Sequence, residues 1–191
     1  MSKALLTTCL FLFLVIKADA QNAMVSWKKI RQISFQDVTG KSIQLTDNAP
    51  AVFVMLSPEC PLCRNYAPVL NELSKQYPDV AFYSVFPGKA YGIKEISQYQ
   101  KEYQLLLKVL IDPAKKLSSY LKASTTPECI FIDKLGVIAY HGMIDNWPAS
   151  LGQKRKVITE KYLATALAQQ KSGKAITIKQ TKPIGCLIND L

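Results

Sequence analysis

The sequence predicts an α/β protein in which helices flank a mixed β-sheet. Apolar runs of strand length alternate along the chain with stretches whose apolar residues have helical spacing, and two later strands form a tight hairpin. The chain has 191 residues and no internal repeat or low-complexity linker. This length predicts one folded domain with a substantial hydrophobic core.

The first predicted element is a β-hairpin between Ile30 and Leu45, where apolar residues alternate around a turn at Gly40. The run Ala51–Leu56 is apolar throughout and has prolines on both sides, as expected of a central strand buried on both faces. An amphipathic helix at 65–77 follows, with a kink expected at Pro68.

The rest of the chain continues this alternation. Its predicted elements are a strand at 80–86, a helix at 93–103, a strand at 105–111, a helix from 112, a hairpin of strands at 129–133 and 137–141, and a helix at 154–171. Asp112 and Pro113 are typical of a helix start, because the carboxylate accepts backbone N–H groups and proline has none to donate. An apolar tail follows Gly173.

Two cysteines, Cys60 and Cys63, lie one helical turn apart where the buried strand gives way to a helix. Because N–H groups at a helix start stabilise a thiolate, we expect Cys60 to be exposed and nucleophilic, and Cys63 to resolve the mixed disulfide. A structural disulfide or half of a zinc site would use the same spacing, but the other Cys and His residues are widely separated. Thiol–disulfide exchange is therefore the favoured chemistry.

Residues 1–20 have the pattern of a secretory signal peptide, with Lys3, an apolar core and the site Ala18-Asp19-Ala20. We predict a domain at 21–174 and a tail at 175–191 that docks on it. The apolar core of about 13 residues is too short to span a bilayer, so we expect no stable membrane insertion after cleavage; an uncleaved anchor is the alternative. Export to the periplasm or the medium is expected, where disulfides persist.

The net charge is +10, and much of the excess lies after Leu151 in Lys and Arg residues. A solvated basic helix face explains this better than an anionic partner does. No basic motif with interleaved aromatic residues is present, so we expect no nucleic-acid binding. We also expect no cofactor.

Three segments carry a resemblance to a known family: 57–63 after the buried strand, Thr126-Pro127-Glu128 before the strand at 129–133, and the hairpin at 134–140. Together they resemble the thioredoxin-like redoxins, closest to the extracytoplasmic TlpA and AhpC/TSA-type branch, over 33–173. The resemblance implies a thioredoxin-like fold and a cis bond before Pro127 opposite the thiols.

The resemblance also implies roles at the site. The Thr126 backbone would pair with a substrate chain, and Pro127 would keep metal from the thiols. Protein thiols and disulfides would be the substrates, and an unidentified upstream reductant would restore the dithiol.

Two departures from the family pattern concern the redox potential. Glu59 stands where thioredoxins usually have an aromatic residue, and its charge is expected to raise the pKa of Cys60. No histidine lies between the cysteines. We therefore expect an intermediate to reducing potential.

Four more residues are candidates for the site. Glu128 is either a proton shuttle for Cys63 or an acid on the exposed rim. Cys129 faces the same way as Pro127 by strand alternation, and a buried thiol is favoured over redox exchange with Cys63. Cys186 is a free thiol, a partner of Cys129 or a third redox cysteine, and His141 is expected to be structural.

Two alternative functions use the same thiols. A peroxiredoxin-like peroxide reductase is the first, although Ser57 and Val54 give an incomplete version of its signature around Cys60. A soft-metal protein that binds copper through the thiolates of Cys60 and Cys63 is the second, with His141 or Cys186 as a further ligand.

Overall fold

The computed structural model describes residues 24–45 and 49–188. The predicted signal peptide at 1–20 lies outside the described residues. Within the two described ranges, every helix is too short or too polar to cross a membrane.

Short helices and strands alternate along the described chain. The helices are α1 Trp27–Arg31, α2 Pro61–Arg64, α3 Ala67–Gln76, α4 Ile93–Glu102, α5 Lys116–Tyr120 and α6 Tyr162–Lys171. The strands are β1 Phe35–Gln36, β2 Ser42–Ile43, β3 Ala51–Met55, β4 Ala81–Pro87, β5 Lys108–Asp112, β6 Thr125–Thr126, β7 Glu128–Ile132, β8 Ile138–Gly142, β9 Pro148–Ser150, β10 Gln153–Lys154 and β11 Cys186–Leu187.

The main sheet is mixed and has the strand order β2-β1-β5-β4-β3-β7-β8. Strands β3, β4 and β5 are parallel, whereas β1 and β7 run antiparallel to their neighbours β5 and β3. Strand β3 is buried along its whole length between β4 and β7. The predicted α/β plan with a mixed sheet is confirmed, as are the buried strand and the hairpin of β7 and β8.

Alternate residues of β3 face opposite sides of the sheet and divide the core into two layers. Val52 and Val54 pack in the layer that also holds both motif cysteines and buried residues of α3, α4 and α6. Phe53 and Met55 pack in the other layer, against buried residues of α1 and α5. The cysteines therefore belong to one defined side of the sheet.

The N-terminal hairpin is shorter than predicted. Strands β1 and β2 pair as Phe35 with Ile43, as the alternation indicates. Ile30, however, is a buried residue of helix α1, which Ser26 caps by accepting from the Lys29 N–H. The inclusion of Ile30 in the hairpin was wrong, because a single buried apolar residue is compatible with both strand alternation and helical spacing.

The helix predicted at 65–77 is present as α3, and a separate short helix, α2, precedes it. Helix α2 ends at Arg64, and α3 begins at Ala67 with Pro68 in its first turn. Proline has no N–H to donate to the Arg64 carbonyl four residues earlier, so the first helix cannot continue through this point. Cys60 and Cys63 therefore belong to a separate helical turn.

The last helix begins at Tyr162, not at 154. Residues 148–154 form the small hairpin of β9 and β10 instead. The Arg155 guanidinium fixes the segment, donating from Nη1 to the carbonyl oxygens of Asn146 at 2.7 Å and Pro148 at 2.9 Å. These bonds tie Arg155 to the residues seven and nine positions earlier, so the predicted helix does not begin at 154.

Helix α5 starts later than predicted, although Asp112 does stabilise its start. Its buried carboxylate accepts from the backbone N–H groups of Lys116 at 2.8 Å and of Leu117 and Ser118 at 3.0 Å. It also accepts from the Ser118 hydroxyl at 3.1 Å. Asp112 thus acts as a helix cap from the end of β5 instead of from the adjacent position.

We expect Asp112→Ala to lower the free energy of unfolding by about 1–2 kcal/mol, because the first N–H groups of α5 lose their acceptor in a buried site. Urea denaturation followed by circular dichroism measures the change. Asp79→Ala, at an exposed position, is the matched control and should change the free energy by less than about 0.5 kcal/mol. Equal effects of the two substitutions would contradict the capping role.

Candidate active site

Cys60 and Cys63 lie at the end of β3, on the same helical turn. Cys60 is the N-cap residue of α2, and the Cys63 N–H donates to the Cys60 carbonyl at 3.0 Å. Cys63 has no exposed surface and packs in the core. The Tyr99 hydroxyl donates to the Cys63 carbonyl oxygen at 2.9 Å and fixes this turn on α4.

The start of β7 brings Thr126 and Pro127 to the two cysteines. Because Val54 is paired with Cys129, the residues just before β7 lie beside those just after β3. The Cys60 sulfur lies 3.1 Å from the Thr126 carbonyl oxygen, to which it donates in its protonated form. The Thr126–Pro127 bond is cis, which confirms that prediction.

Cys60 is less accessible than we expected. Only 2% of its surface is exposed. It lines a cleft of about 310 Å³ together with Tyr91 and with Leu187 and Ile188 of the C-terminal tail. The expectation of an openly exposed thiol was wrong, because the sequence did not indicate that the C-terminal tail forms a wall of this cleft.

The tail reaches Cys60 by adding a strand beside Thr126. Strand β11 pairs antiparallel with β6, so that Cys186 lies opposite Thr126. The Cys186 thiol donates to the Cys60 sulfur, and the two sulfur atoms are 2.9 Å apart. Of the three roles left open for Cys186, a disulfide with Cys129 does not match this arrangement, because Cys186 contacts Cys60 whereas Cys129 donates to the Gly142 carbonyl oxygen.

The pKa of Cys60 is lowered to about 4, mainly because the Cys63 thiol donates a hydrogen bond to its thiolate. Burial opposes this effect, and the thiol and backbone N–H of Cys186 and the backbone N–H of Cys63 add to it. We expected Glu59 to raise this pKa, and the net shift is in the opposite direction. The Glu59 carboxylate accepts from the Tyr91 hydroxyl at 3.3 Å.

The pKa values of the two other thiols are raised. Burial raises the pKa of Cys63 well above its ordinary value, and the hydrogen bond to Cys60 and the negative charge there raise it further. Burial and then the same two effects of Cys60 raise the pKa of Cys186 to about 12. Near neutral pH, one negative charge on Cys60 is therefore stabilised by two neutral thiol donors.

Glu128 lies apart from the thiols. It lies on the same face of β7 as Ile130 and Ile132, which pack in the core layer opposite the cysteines. Its Oε2 accepts from the backbone N–H groups of Ser124 and Thr125, both at 2.8 Å, and Oε1 contacts His141 Nε2. The carboxylate is neither exposed at a rim nor in contact with Cys63, and it fixes the loop that leads to Thr126.

His141 and Cys129 make structural contacts. His141 belongs to β8 and pairs with Glu128, as expected of a structural histidine. Cys129 is buried, donates to the Gly142 carbonyl oxygen at 3.3 Å, and has a pKa raised well above its ordinary value by burial. This thiol stays protonated near neutral pH.

A buried polar group beside the site was not predicted. The Tyr66 hydroxyl donates to Asp145 Oδ1 at 2.6 Å, and the same oxygen accepts from the Trp147 N–H at 2.8 Å. Helical spacing indicated that Tyr66 is buried, but nothing in the sequence indicated its partner. In residues 24–45 and 49–188, no group of three or more His, Cys, Asp or Glu residues is arranged to hold a metal ion.

We expect Glu128→Gln to lower the free energy of unfolding by about 1–3 kcal/mol, because the amide cannot reproduce the acceptor set of the carboxylate. Burial alone would raise the pKa of Glu128, but the bonds from His141, Ser124 and Thr125 lower it below its ordinary value of 4.5. The carboxylate thus stabilises the fold above about pH 4.5, and this contribution is lost as the pH falls through the lower folded-state pKa.

The measurement is urea denaturation of both proteins across that pH range. The difference in the free energy of unfolding between wild type and Glu128→Gln should be constant above about pH 5 and should shrink below pH 4.5. Glu160→Gln, at an exposed carboxylate, is the matched control. A difference that grows on acidification would contradict the assignment.

Comparison with known proteins agrees with this fold. A hypothetical protein from Sinorhizobium meliloti has a TM-score of 0.73 and 19% identity, over 87% of this chain and 93% of that one. A secreted disulfide oxidoreductase from Mycobacterium tuberculosis has a TM-score of 0.58 and 17% identity, over 75% and 98%. The thioredoxin domain of a thiol–disulfide oxidoreductase from Bacteroides vulgatus has a TM-score of 0.53 and 18% identity, over 63% and 89%.

These likenesses confirm the thioredoxin-like fold. No curated protein matches the sequence. Residues 27–141 match the AhpC/TSA family, which covers more than half of the chain. The chain therefore belongs to the AhpC/TSA family, as the resemblance to the redoxins implied.

Proposed function

We propose that this protein is an exported thiol–disulfide oxidoreductase that exchanges electrons with client-protein disulfides through Cys60 and Cys63. The observation that carries the proposal is the asymmetry of the pair. One thiol lines a cleft and has a lowered pKa, and the other is enclosed in the core one turn later with a raised pKa. A nucleophile and a resolving thiol need this difference.

In the first step the Cys60 thiolate attacks one sulfur of a client disulfide. A Cys60–client bond forms, the client S–S bond breaks, and the other client sulfur leaves as a thiolate that takes up a proton. The lowered pKa of Cys60 keeps it ionised near neutral pH. No base is needed to activate it.

In the second step Cys63 attacks the Cys60 sulfur and releases the client dithiol, so two electrons pass from the protein to the client. The charge of Cys60 and its bond to Cys63 both raise the pKa of Cys63. Both effects end once Cys60 is in the mixed disulfide. The resolving thiol is therefore easier to ionise at the stage where it must attack.

Thr126, Pro127 and Glu128 act on this site in different ways. The Thr126 carbonyl lies next to the Cys60 sulfur, and Pro127 places no N–H beside the thiols. Glu128 is a positioning residue, since it holds the backbone of residues 124 and 125. Cys63 then passes its proton to the departing client thiolate instead of to Glu128.

Two observations support export. Residues 1–20 have the pattern of a signal peptide, and the related fold from Mycobacterium tuberculosis is that of a secreted protein. An upstream reductant must regenerate the dithiol, because each turnover leaves a Cys60–Cys63 disulfide.

An insulin-reduction assay with dithiothreitol as electron source tests the activity. We expect wild-type protein to accelerate insulin precipitation and Cys60→Ser to give only the rate of dithiothreitol alone. Cys63→Ser combined with Cys186→Ser, mixed with insulin without dithiothreitol, should hold a covalent insulin adduct on Cys60. Cys129→Ser is the matched control: the hydroxyl can keep the bond to Gly142, and the rate should not change.

Insulin reduction that survives Cys60→Ser would contradict the proposal. The same assay with hydrogen peroxide in place of insulin tests the alternative function, peroxide reduction. A peroxide reductase would reduce peroxide at a higher rate than it reduces a disulfide. Among the described residues, those that line the Cys60 cleft include no arginine, which favours disulfide exchange over peroxide reduction.

A lowered pKa of Cys60 also predicts how alkylation depends on pH. The rate with iodoacetamide should be constant above about pH 6, whereas an ordinary thiol, with a pKa of about 8.5, reacts faster up to about pH 9. The alkylated peptide that is present in wild type and absent in Cys60→Ser is the one that reports on Cys60. A rate that rises through pH 8 would contradict the assignment.

The stabilised Cys60 thiolate changes the reduction potential that we expect for the Cys60–Cys63 disulfide. A stabilised thiolate favours the reduced form of the pair and makes the disulfide a stronger oxidant. The potential should therefore be more oxidising than the sequence indicated, and equilibration with glutathione measures it.

A further inference from the structure

We propose that Cys186 is a third redox cysteine, which forms an intramolecular disulfide with Cys60 in exchange with the Cys60–Cys63 disulfide. This inference rests on the proposed function. In this proposal the sulfur of Cys186, in the C-terminal tail, competes with the sulfur of Cys63 to form a disulfide with Cys60.

The sulfur atoms of Cys60 and Cys186 are in contact. Cys186 Sγ is 2.9 Å from Cys60 Sγ, and the separation must shorten by about 0.9 Å to reach an S–S bond. Both thiols are free. Cys60 is thus in reach of sulfur from two directions, from Cys63 on its own helical turn and from Cys186 on the tail.

The tail is held in place by specific contacts on both sides of Cys186. Downstream, the Ile188 N–H donates to the Ser124 carbonyl at 2.9 Å. Upstream, the Thr181 N–H donates to the His141 carbonyl at 3.0 Å, and the Thr181 hydroxyl lies 2.7 Å from that of Tyr140. The position of Cys186 therefore follows from a bonded strand and not from a loose end.

Gly185 allows this close approach. A Cβ at residue 185 would collide with the carbonyl group of Thr126. Any side chain there would push β11 away from β6 and separate Cys186 from Cys60. Gly185 thus offers a substitution that disturbs the contact without removing a sulfur atom.

The exchange balances within the chain. The Cys186 sulfur attacks Cys60 in the Cys60–Cys63 disulfide, the Cys60–Cys186 bond forms, and Cys63 leaves and takes up the proton lost by Cys186. No electrons enter or leave. In the reverse direction Cys63 attacks Cys60 and releases Cys186, which restores the first disulfide.

A client must displace the tail to reach Cys60. Strand β11 covers the backbone of Thr126, and Cys186 contacts the sulfur that the client disulfide must approach. An extended client segment can take this place by pairing with the same backbone edge. The tail is therefore an intramolecular competitor of the client at the nucleophile.

Mass spectrometry of the full chain tests the proposal. Cys63→Ala removes the competing thiol, and glutathione disulfide then oxidises Cys60 to a glutathione adduct. We expect Cys186 to expel the glutathione, so that alkylation and tryptic mapping find a Cys60–Cys186 disulfide and a free thiol at Cys129. Cys63→Ala with Cys186→Ser should retain glutathione on Cys60.

A second pair of variants separates docking from the mere presence of a thiol. Gly185→Val in the Cys63→Ala background should lower the rate of glutathione release by about tenfold or more, because the effective concentration of Cys186 at Cys60 falls. Lys182→Ala, at an exposed tail position, should keep the full rate. Equal rates in both variants would overturn the docked geometry.

Retention of glutathione in the Cys63→Ala protein, with Cys186 free, would overturn the proposal. If that variant does not fold, mapping of oxidised wild-type protein decides, since the exchange requires both disulfides to appear there. A wild-type protein that reduces insulin but never forms the Cys60–Cys186 disulfide would contradict this inference alone. One that forms the disulfide but reduces no insulin would contradict only the proposed function.

Discussion

The antiparallel register of β3 and β7 determines where the Cys60 sulfur lies relative to Thr126. Val54 opposite Cys129 and Met55 opposite Glu128 fix the two strands side by side in the buried part of the sheet. A shift by one residue would turn every side chain of β7 to the other face. It would also move the Thr126 carbonyl away from the Cys60 sulfur. The site thus depends on a strand pairing that apolar packing on both faces stabilises.

That register also explains why Cys129 and Glu128 differ in role. Neighbouring residues of a strand face opposite sides, so Cys129 packs in the layer of the motif cysteines while Glu128 faces the other layer. In the sequence, strand alternation places Cys129 on the same face as Pro127. It also places Glu128 on the opposite face, which argues against a proton shuttle for Cys63. The buried carboxylate stabilises residues 124 and 125, and acts on the thiols only through the position of the backbone.

The sequence was most informative where local pattern and burial agree. The apolar run of β3, the Cys60–Cys63 spacing and the cis bond before Pro127 could all be predicted, the last through family resemblance. Residues held by contacts that no local pattern indicates could not be predicted. Arg155 holds an extended segment where helical spacing suggested a helix, and β11 finds β6 across a separation of 60 residues between Cys186 and Thr126. A strand of two residues carries no periodicity from which such a partner could be inferred.

The sulfur atoms of Cys63 and Cys186 surround the buried Cys60 thiol and lower its pKa. Desolvation alone would raise the pKa, and the donors from Cys63 and Cys186 more than offset it. A thiolate stabilised in this way is abundant but less nucleophilic, since reactivity at sulfur falls with pKa. Displacement of β11 by a client would remove one donor and raise the pKa of Cys60 at the moment when the client disulfide arrives. The tail would then hold the nucleophile in a less reactive state until a substrate takes its place beside Thr126.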